Sequence, residues 1–480
     1  MIPLTAGQIA EAVGGRLHNV EPDVVVTGTV EFDSREVRPD GLFVALPGVK
    51  VDGHDFAKSS GARLTLAARE IDAPAVIVPP VTEANHGSFA LIGDKDGSGA
   101  AVLAGLAALA RYVVDRLPGL TIVGVTGSSG KTSTKDLIAQ LVKPMGPTVA
   151  PPGSFNSELG HPWTVLRADE QTKYLVLELS ARGMGHIREL TEVAPPKIGA
   201  VINVGTAHVG AYASREDIAK AKGELAEALP EDGVAVLNAD DPLVRAMASR
   251  TKARVVLVGE SADAQIRAAN IVLDAEARAS FQLVTPQGNA DVKLTLHGEH
   301  HVGNALSAAA VALELGATVD EVAERLSQAQ RMSARRMEVT TRADGVTFVN
   351  DSYNANPESV RAALKSIVEI ARQGNRRTWA VLGTMADLGA EHVNAHDGIG
   401  RLAVRLDINR LVVVGEDARA MHQGAHLEGS WGEESVLVPD VDAAIALLRT
   451  ELRPGDVVLV KASKSAALWR VADALLEDSK

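Results

Sequence analysis

One stretch, Thr126-Gly127-Ser128-Ser129-Gly130-Lys131-Thr132, limits the folds open to this chain. It follows Leu120-Thr121-Ile122-Val123-Gly124-Val125, a short apolar run that reads as a buried strand, and a helical pattern over 132–143 follows it. Strand, glycine-containing loop and helix together form a phosphate cradle. Gly127 and Gly130 carry no Cβ, so the backbone N–H groups of the loop, those of Ser128 and Ser129 included, can approach phosphate oxygens. Lys131 reaches the outer phosphates, and the Thr132 hydroxyl is placed for Mg²⁺. The strict motif has glycine at position 125, where this chain has valine.

A cradle of this kind needs a parallel sheet, and 480 residues leave room for roughly three domains of ~150 residues each. Aromatic residues make up only 3% of the chain, so its cores are built from Ala, Val, Leu and Ile. No apolar run reaches the ~18 residues of a membrane span, and the N-terminus shows no secretory pattern. With no cysteine there is neither a disulfide framework nor a thiolate metal site. These features are compatible with the cytoplasm, which is the expected location. The net charge of −13 argues against a nonspecific nucleic-acid binder, although local cations and helix N-termini still suit an anionic nucleotide.

Along the chain, residues 1–92 read as a small α/β unit of short strands and turns. A polar, glycine-rich segment over 93–99 then leads into a helix that ends near Pro118-Gly119. Residues 93–330 alternate buried strands (174–179, 198–204, 234–237, 255–258) with helices, the rhythm of a doubly wound parallel sheet. Period-two alternation over 266–296 predicts a small antiparallel patch, and two helices close the unit. Residues 331–480 repeat the α/β rhythm, with strands at 378–382, 410–414, 435–438 and 457–460. This last unit is Rossmann-like, but it lacks the glycine fingerprint of a dinucleotide site.

Ligands bind at the C-terminal edge of such sheets. Glu178 ends one strand there, where it can hold Mg²⁺ or sit in a salt bridge. His208 follows the strand ending at Val204 and reaches the same edge. Lys222 lies in a helix, where a solvated charge is the default. Asn238-Ala239-Asp240-Asp241 suits a helix cap as well as a nucleotide contact. His300 and His301 are adjacent, so they do not form the i, i+4 pair of a helical metal site.

Taken together, the loop, Glu178, Asn203-Val204-Gly205-Thr206-Ala207-His208, Lys222 and Gly298–Asn304 resemble the ATP-dependent Mur ligases and their folylpolyglutamate synthetase relatives. The resemblance runs over essentially the whole chain. Asp33-Ser34-Arg35 with Asp52-Gly53-His54-Asp55-Phe56, Asn350-Asp351-Ser352-Tyr353-Asn354-Ala355-Asn356-Pro357 and Leu382–Gly389 resemble the branch that adds D-alanyl-D-alanine. The first domain argues against the folate enzymes. The Asp-Asn-Pro-Arg run that selects diaminopimelate in the preceding ligase is missing. A nucleotide sensor that does not ligate is the alternative of another class.

The resemblance implies a three-domain fold: 1–92 binding the UDP-muramoyl substrate, 93–330 binding ATP, and 331–480 contributing to ATP and dipeptide binding. It implies that ATP phosphorylates the terminal carboxylate of UDP-N-acetylmuramoyl-tripeptide and that the amine of D-alanyl-D-alanine attacks the acyl phosphate. Two Mg²⁺ ions are expected: Thr132 and Glu178 resemble ligands of the first, and His208 resembles the histidine of the second. Lys222 resembles a lysine that relatives carbamylate into a metal ligand. Asn304 resembles the adenine contact, Asp351 the ribose contact, and Arg336, with Arg335 beside it as the alternative, the arginine that reaches ATP. Ser34 and Arg35 fall near the UDP end, and Tyr353, Asn354 and Asn356 are candidates for the dipeptide pocket. A monomer, with no nucleic acid or membrane insertion, is expected. Two further departures from the family pattern are His301, where asparagine is usual, and Lys461-Ala462-Ser463-Lys464 in place of Lys-Gly-Ser-Arg. The last domain is expected to swing so that Asp351 and Arg336 meet ATP.

Overall fold

The computed structural model describes residues 1–81, 91–206, 210, 212, 214–372, 374–430, 432 and 434–477, and counts of elements refer to these. Three large sheets follow one another along the chain. In the first, Val30–Glu31, Leu42–Val44, Leu64–Ala67 and Ala75–Ile77 run parallel, and Arg16–His18 closes the edge antiparallel. The strand Leu64–Ala67 had no sequence signal beyond four residues, yet it is buried throughout and sits at the sheet centre.

Helix α1 (Ser98–Val114) leads into the central sheet. Strand β1 (Thr121–Thr126) runs into the glycine loop and helix α2 (Lys131–Val142). Strands β2 (Tyr174–Glu178) and β3 (Ile198–Val201) flank β1 on opposite sides, both parallel to it. The chain order therefore reverses at β1, and the loop after it occupies the switch point where open sheets bind ligands. Helix α3 (Arg215–Glu227) follows β3 and is capped by Ser214, whose Oγ accepts from Asp217 N. Strand β4 (Val234–Asn238) continues the sheet, and Asp241 caps the short helix after it. The alternating segment does form antiparallel strands, but they extend the same sheet to nine strands instead of standing apart. Helix α4 (His301–Glu314) covers one face.

The last sheet has six strands. Five are parallel, including β5 (Thr347–Asn350), β6 (Thr378–Leu382) and β7 (Val457–Lys461), and Glu338–Thr341 is an antiparallel edge. Helix α5 (Pro357–Arg372) starts six residues after β5 ends.

Burial divides these units unequally. One apolar cluster runs from Ile9 and Leu66 of the first unit, through Leu106 and Leu109 of α1, to Leu177 of the central sheet and Leu225 of α3. The last sheet has clusters of its own on its two faces. In a chain so poor in aromatics, Phe32, Phe155 and Trp163 meet where the first unit joins the second, with ring centroids 4.6–6.3 Å apart. Trp163 Nε1 also donates to Val30 O at 2.7 Å. Trp163→Ala removes the buried ring and its hydrogen bond together, so it should cost about 3–5 kcal/mol. Chemical denaturation should show that loss, together with faster proteolysis between the first two units.

Candidate functional site

Helix α2 begins at Gly130, which has no side chain to cap it, so its first-turn amides have no side-chain acceptor. Gly130 has φ +79°, and a Cβ there would come within 2.6 Å of Asn304 Oδ1. A Cβ at Gly127 would come within 2.3 Å of Ile202. Gly130 is therefore favoured by its turn and by packing, and Gly127 by packing alone. Val125 pairs with Glu178 inside the sheet and is fully buried. The position is still strand, so a side chain is accommodated there.

Asn203 shapes the loop. Its Oδ1 accepts from Ser128 N at 2.9 Å and Ser129 N at 3.0 Å, and its Nδ2 donates to Ser129 O. Lys131 Nζ donates to Gly127 O at 2.8 Å. Burial holds this ammonium group below the ordinary lysine value; the charge of Glu178 opposes the shift and that of Arg336 adds to it.

A polar chain crosses the loop. Thr132 Oγ1 donates to Glu178 Oε2 at 2.9 Å, and Asn156 Nδ2 donates to Glu178 Oε1 at 2.6 Å. Ser154 Oγ lies 2.6 Å from Thr132 Oγ1 and accepts from Arg336 Nη2 at 2.7 Å. Arg336 Nε is buried without a hydrogen-bond partner, and the guanidinium lies 4.3 Å from the Tyr353 ring centre. Arg335 turns away, 3.6 Å from Asp473 and stacked on Trp469. Of the two arginines, Arg336 is the one in the cleft.

The last sheet presents its own C-terminal edge to this region. Asp351 pairs with Lys461 Nζ at 2.6 Å and accepts from Met337 N. Lys461 also donates to Asn354 O. Ala462 replaces the usual glycine without opening this loop, because its methyl packs against Gly383. Ser463 N still donates to Thr384 O, and Ala386 N to Ser463 Oγ. A cavity of about 890 Å³ lies between the two sheet edges and is lined by Lys131, Glu178, Asn304, Arg336, Asp351 and Tyr353, among others.

Not every residue singled out in the sequence faces this cavity. Asn356 lines it, but its side chain caps α5, accepting from Ser359 N at 2.9 Å and donating to Ser128 O at 3.3 Å. Arg35 is exposed and paired with Asp33, and neither Ser34 nor Arg35 is among the lining residues. Asp52 and His54 brace the first unit internally: His54 Nδ1 donates to Asp52, and its Nε2 accepts from Ala68 N. His208 lies outside the described residues. Asn304 is buried, accepts from Thr134 Oγ1 and contacts His301 Nδ1 at 3.3 Å, so His301 acts as its neighbour where asparagine is usual. Ser154, Asn156, Arg182 and Asp387 also line the cavity. No periodic pattern marked them, and only their place in loops after strands could have.

Lys222 is not the solvated helix charge that composition favoured. It is 4% exposed and has no hydrogen-bond or ion-pair partner among the described residues. Burial first, then the nearby charge of Lys131, pushes its ammonium far below the ordinary value. The same burial favours the uncharged amine over the ammonium.

Hard oxygen donors at Thr132 and Glu178 fit Mg²⁺. No cluster of three His, Asp or Glu forms among the described residues. No helix of the described residues is long and apolar enough to cross a membrane.

Comparisons with known proteins follow this geometry. Residues 125–312 match the Mur ligase middle domain, 335–464 the Mur ligase glutamate ligase domain, and 28–89 the Mur ligase family catalytic domain. The chain is 56% identical to UDP-N-acetylmuramoyl-tripeptide–D-alanyl-D-alanine ligase of Mycobacterium tuberculosis, covering 100% of this chain and 98% of the relative. It is 32% identical to the Escherichia coli ligase of that name, covering 100% and 99%. MurF from Acinetobacter baumannii superposes with a TM-score of 0.85 at 29% identity, covering 99% of both chains. MurF ligase from Thermotoga maritima in complex with ADP superposes with a TM-score of 0.78 at 27% identity, covering 94% of this chain and 98% of that one.

Proposed function

The chain belongs to the Mur ligase family, and we propose that it is the ATP-dependent ligase joining D-alanyl-D-alanine to UDP-N-acetylmuramoyl-tripeptide. The observation that carries this reading is the cleft in which the glycine loop, Glu178 and Arg336 face Asp351 and Tyr353, in a chain 56% identical to a ligase of that name over its whole length.

The chemistry follows from the leaving group. Hydroxide leaves a carboxylate poorly, whereas phosphate leaves an acyl phosphate readily. ATP therefore gives its γ-phosphoryl group to the tripeptide carboxylate, releasing ADP. The uncharged amine of the dipeptide adds to the acyl carbon, and the tetrahedral adduct expels phosphate as the amide forms. Phosphoryl transfer is mainly positioning and charge neutralisation.

Lys131 and Arg336 supply positive charge from opposite sides of the loop. Arg336 has a buried N–H still available for an acceptor. Thr132 and Glu178 would hold Mg²⁺, with His208 at a second ion; such ions neutralise charge on the phosphates. Asn304 is assigned to the adenine and Asp351 to the ribose.

Lys222 is assigned as a carbamate. The uncharged form of this buried amine, beside the Lys131 cation and with no anionic partner among the described residues, adds to CO₂, forming an N–C bond and losing one N–H proton to give an anionic carbamate. The first unit, 1–92, is assigned to the UDP-muramoyl end, with Ser34 and Arg35 near it; 93–330 is assigned to ATP; and 331–480 is assigned to ATP and the dipeptide, with Tyr353 and Asn354 toward the latter. The protein works as a cytoplasmic monomer in this reading.

A substrate-omission assay tests the proposal. Phosphate release and pentapeptide formation should require ATP, UDP-muramoyl tripeptide and D-alanyl-D-alanine together. Steady ATP turnover without the dipeptide would instead favour a nucleotide sensor.

A further inference from the structure

The start of helix α5 reaches across the cleft. Asn356 caps it through a reciprocal pair: Ser359 N donates to Asn356 Oδ1, and Asn356 N donates to Ser359 Oγ. Pro357 fills the first helical position with its φ already set. The next residue, Glu358, is thereby fixed in direction, and its carboxylate sits in the first turn, where the helix dipole favours negative charge.

That carboxylate meets the loop after β3. Glu358 Oε1 accepts from Thr206 N at 2.9 Å and from Thr206 Oγ1 at 3.0 Å, and Oε2 lies 3.2 Å from the same hydroxyl. A Cβ at the preceding residue, Gly205, would lie 2.7 Å from the Glu358 carboxyl carbon, so a larger residue there would displace the carboxylate. Gly205 N donates to Ser128 Oγ at 2.8 Å, and Ser128 O accepts from Asn356 Nδ2. The glycine loop, the loop after β3 and the start of α5 therefore form one connected set of hydrogen bonds. On its far side, α5 is tied to the Asp351–Lys461 pair through the short segment after β5.

A carboxylate beside a phosphate-binding loop opposes the ligand's charge, so packing alone would be better served by a neutral side chain. Resting on the ligase reading above, we propose that Glu358 is a positioning residue that clasps Thr206 and holds the glycine loop in its working shape only while the last sheet is docked, making phosphoryl transfer conditional on closure.

Two variants and their combination test this. Glu358→Ala should lower kcat for pentapeptide formation by about 10²-fold, the scale on which a small misplacement slows a positioned reaction. Binding of an ATP analogue, measured directly, should change less than about 3-fold, since the Glu358 carboxylate is engaged by Thr206 and not by the loop residues assigned to the nucleotide. Thr206→Val keeps the backbone donor and should lose less. The double variant should be no slower than Glu358→Ala alone, because partners in one interaction are not additive. Glu358→Gln, which keeps an acceptor oxygen, should recover most of the rate.

Multiplying losses in the double variant, or Glu358→Ala within about twofold of the parent, overturns the clasp. Should Glu358→Ala fail to fold, Glu358→Leu, which fills the space without an acceptor, carries the same cycle with Thr206→Val. A parent protein that makes no pentapeptide sinks the ligase reading instead. The clasp is then judged by small-angle scattering of the full chain with the ATP analogue: a more open Glu358→Ala supports it, and superimposable curves overturn it.

Discussion

Lys131→Ala should abolish measurable pentapeptide synthesis, with phosphate release falling about 10³-fold or more, the scale on which removal of one preorganised charge donor slows a reaction. The cation stands in the loop between two glycines' worth of open backbone and the Glu178 carboxylate, and the only other positive charge on the polar chain across the loop is Arg336. The loss should fall on phosphoryl transfer, so trapping of the acyl phosphate should vanish together with product. Circular dichroism and the thermal transition should stay near the parent's, because Lys131 bonds only to its own loop. A pH consequence follows with a definite sign. The protonated form is the active one, and burial lowers its pKa. In the parent, activity should therefore decline on the alkaline side at a pH below the ordinary lysine range. A rate profile still flat where free lysine titrates, or a Lys131→Ala protein retaining a tenth of the rate, would remove the lysine from the mechanism.

The second large effect concerns Lys222. Stripping CO₂ and bicarbonate from the assay should slow the parent enzyme markedly, and adding bicarbonate should restore it. Lys222→Ala should be slower by about 10²-fold, the upper scale for losing a group that supports a metal site, and indifferent to bicarbonate. The direction follows from burial. Burial lowers the amine's pKa and so raises the share of the unprotonated form, and only that form adds to CO₂. Carbon-13 bicarbonate should also give a carbamate resonance in the parent that the variant lacks. A parent rate independent of CO₂, without that resonance, would leave Lys222 as an unmodified buried amine.

What the sequence revealed depended on whether local pattern or tertiary contact decides a residue's place. The glycine loop was legible because strand, turn and helix are each set within a few residues, and the structure shows them joined as β1 and α2. The buried strands were legible because each is a short apolar run bounded by turns. Lys222 was opaque because of its charge: it lies on the stripe of Ile218 and Leu225, four residues after one and three before the other, but a helical lysine is by default solvated, and only the fold shows that this one is not. Arg335 and Arg336 could not be separated, because neighbours in a loop diverge only once the fold is made. Asn356 was expected at the dipeptide pocket, and the reciprocal bond with Ser359 gives its side chain to the helix instead. Ser154, Asn156 and Asn203 sit in polar loops whose bonding partners are 22 to 75 residues away, beyond any periodic signal.

The first two sheets are welded by a shared apolar core, whereas the bonds that join the last sheet to the phosphate loop, those of Arg336, Asn356 and Glu358, are polar. Water can take over such bonds almost one for one, so parting them uncovers little oily surface. If the last sheet parts from these loops as proposed, the motion should carry a small heat-capacity change and depend only weakly on temperature. A molecule cycling this way also avoids presenting a sticky face to its crowded surroundings each time product departs.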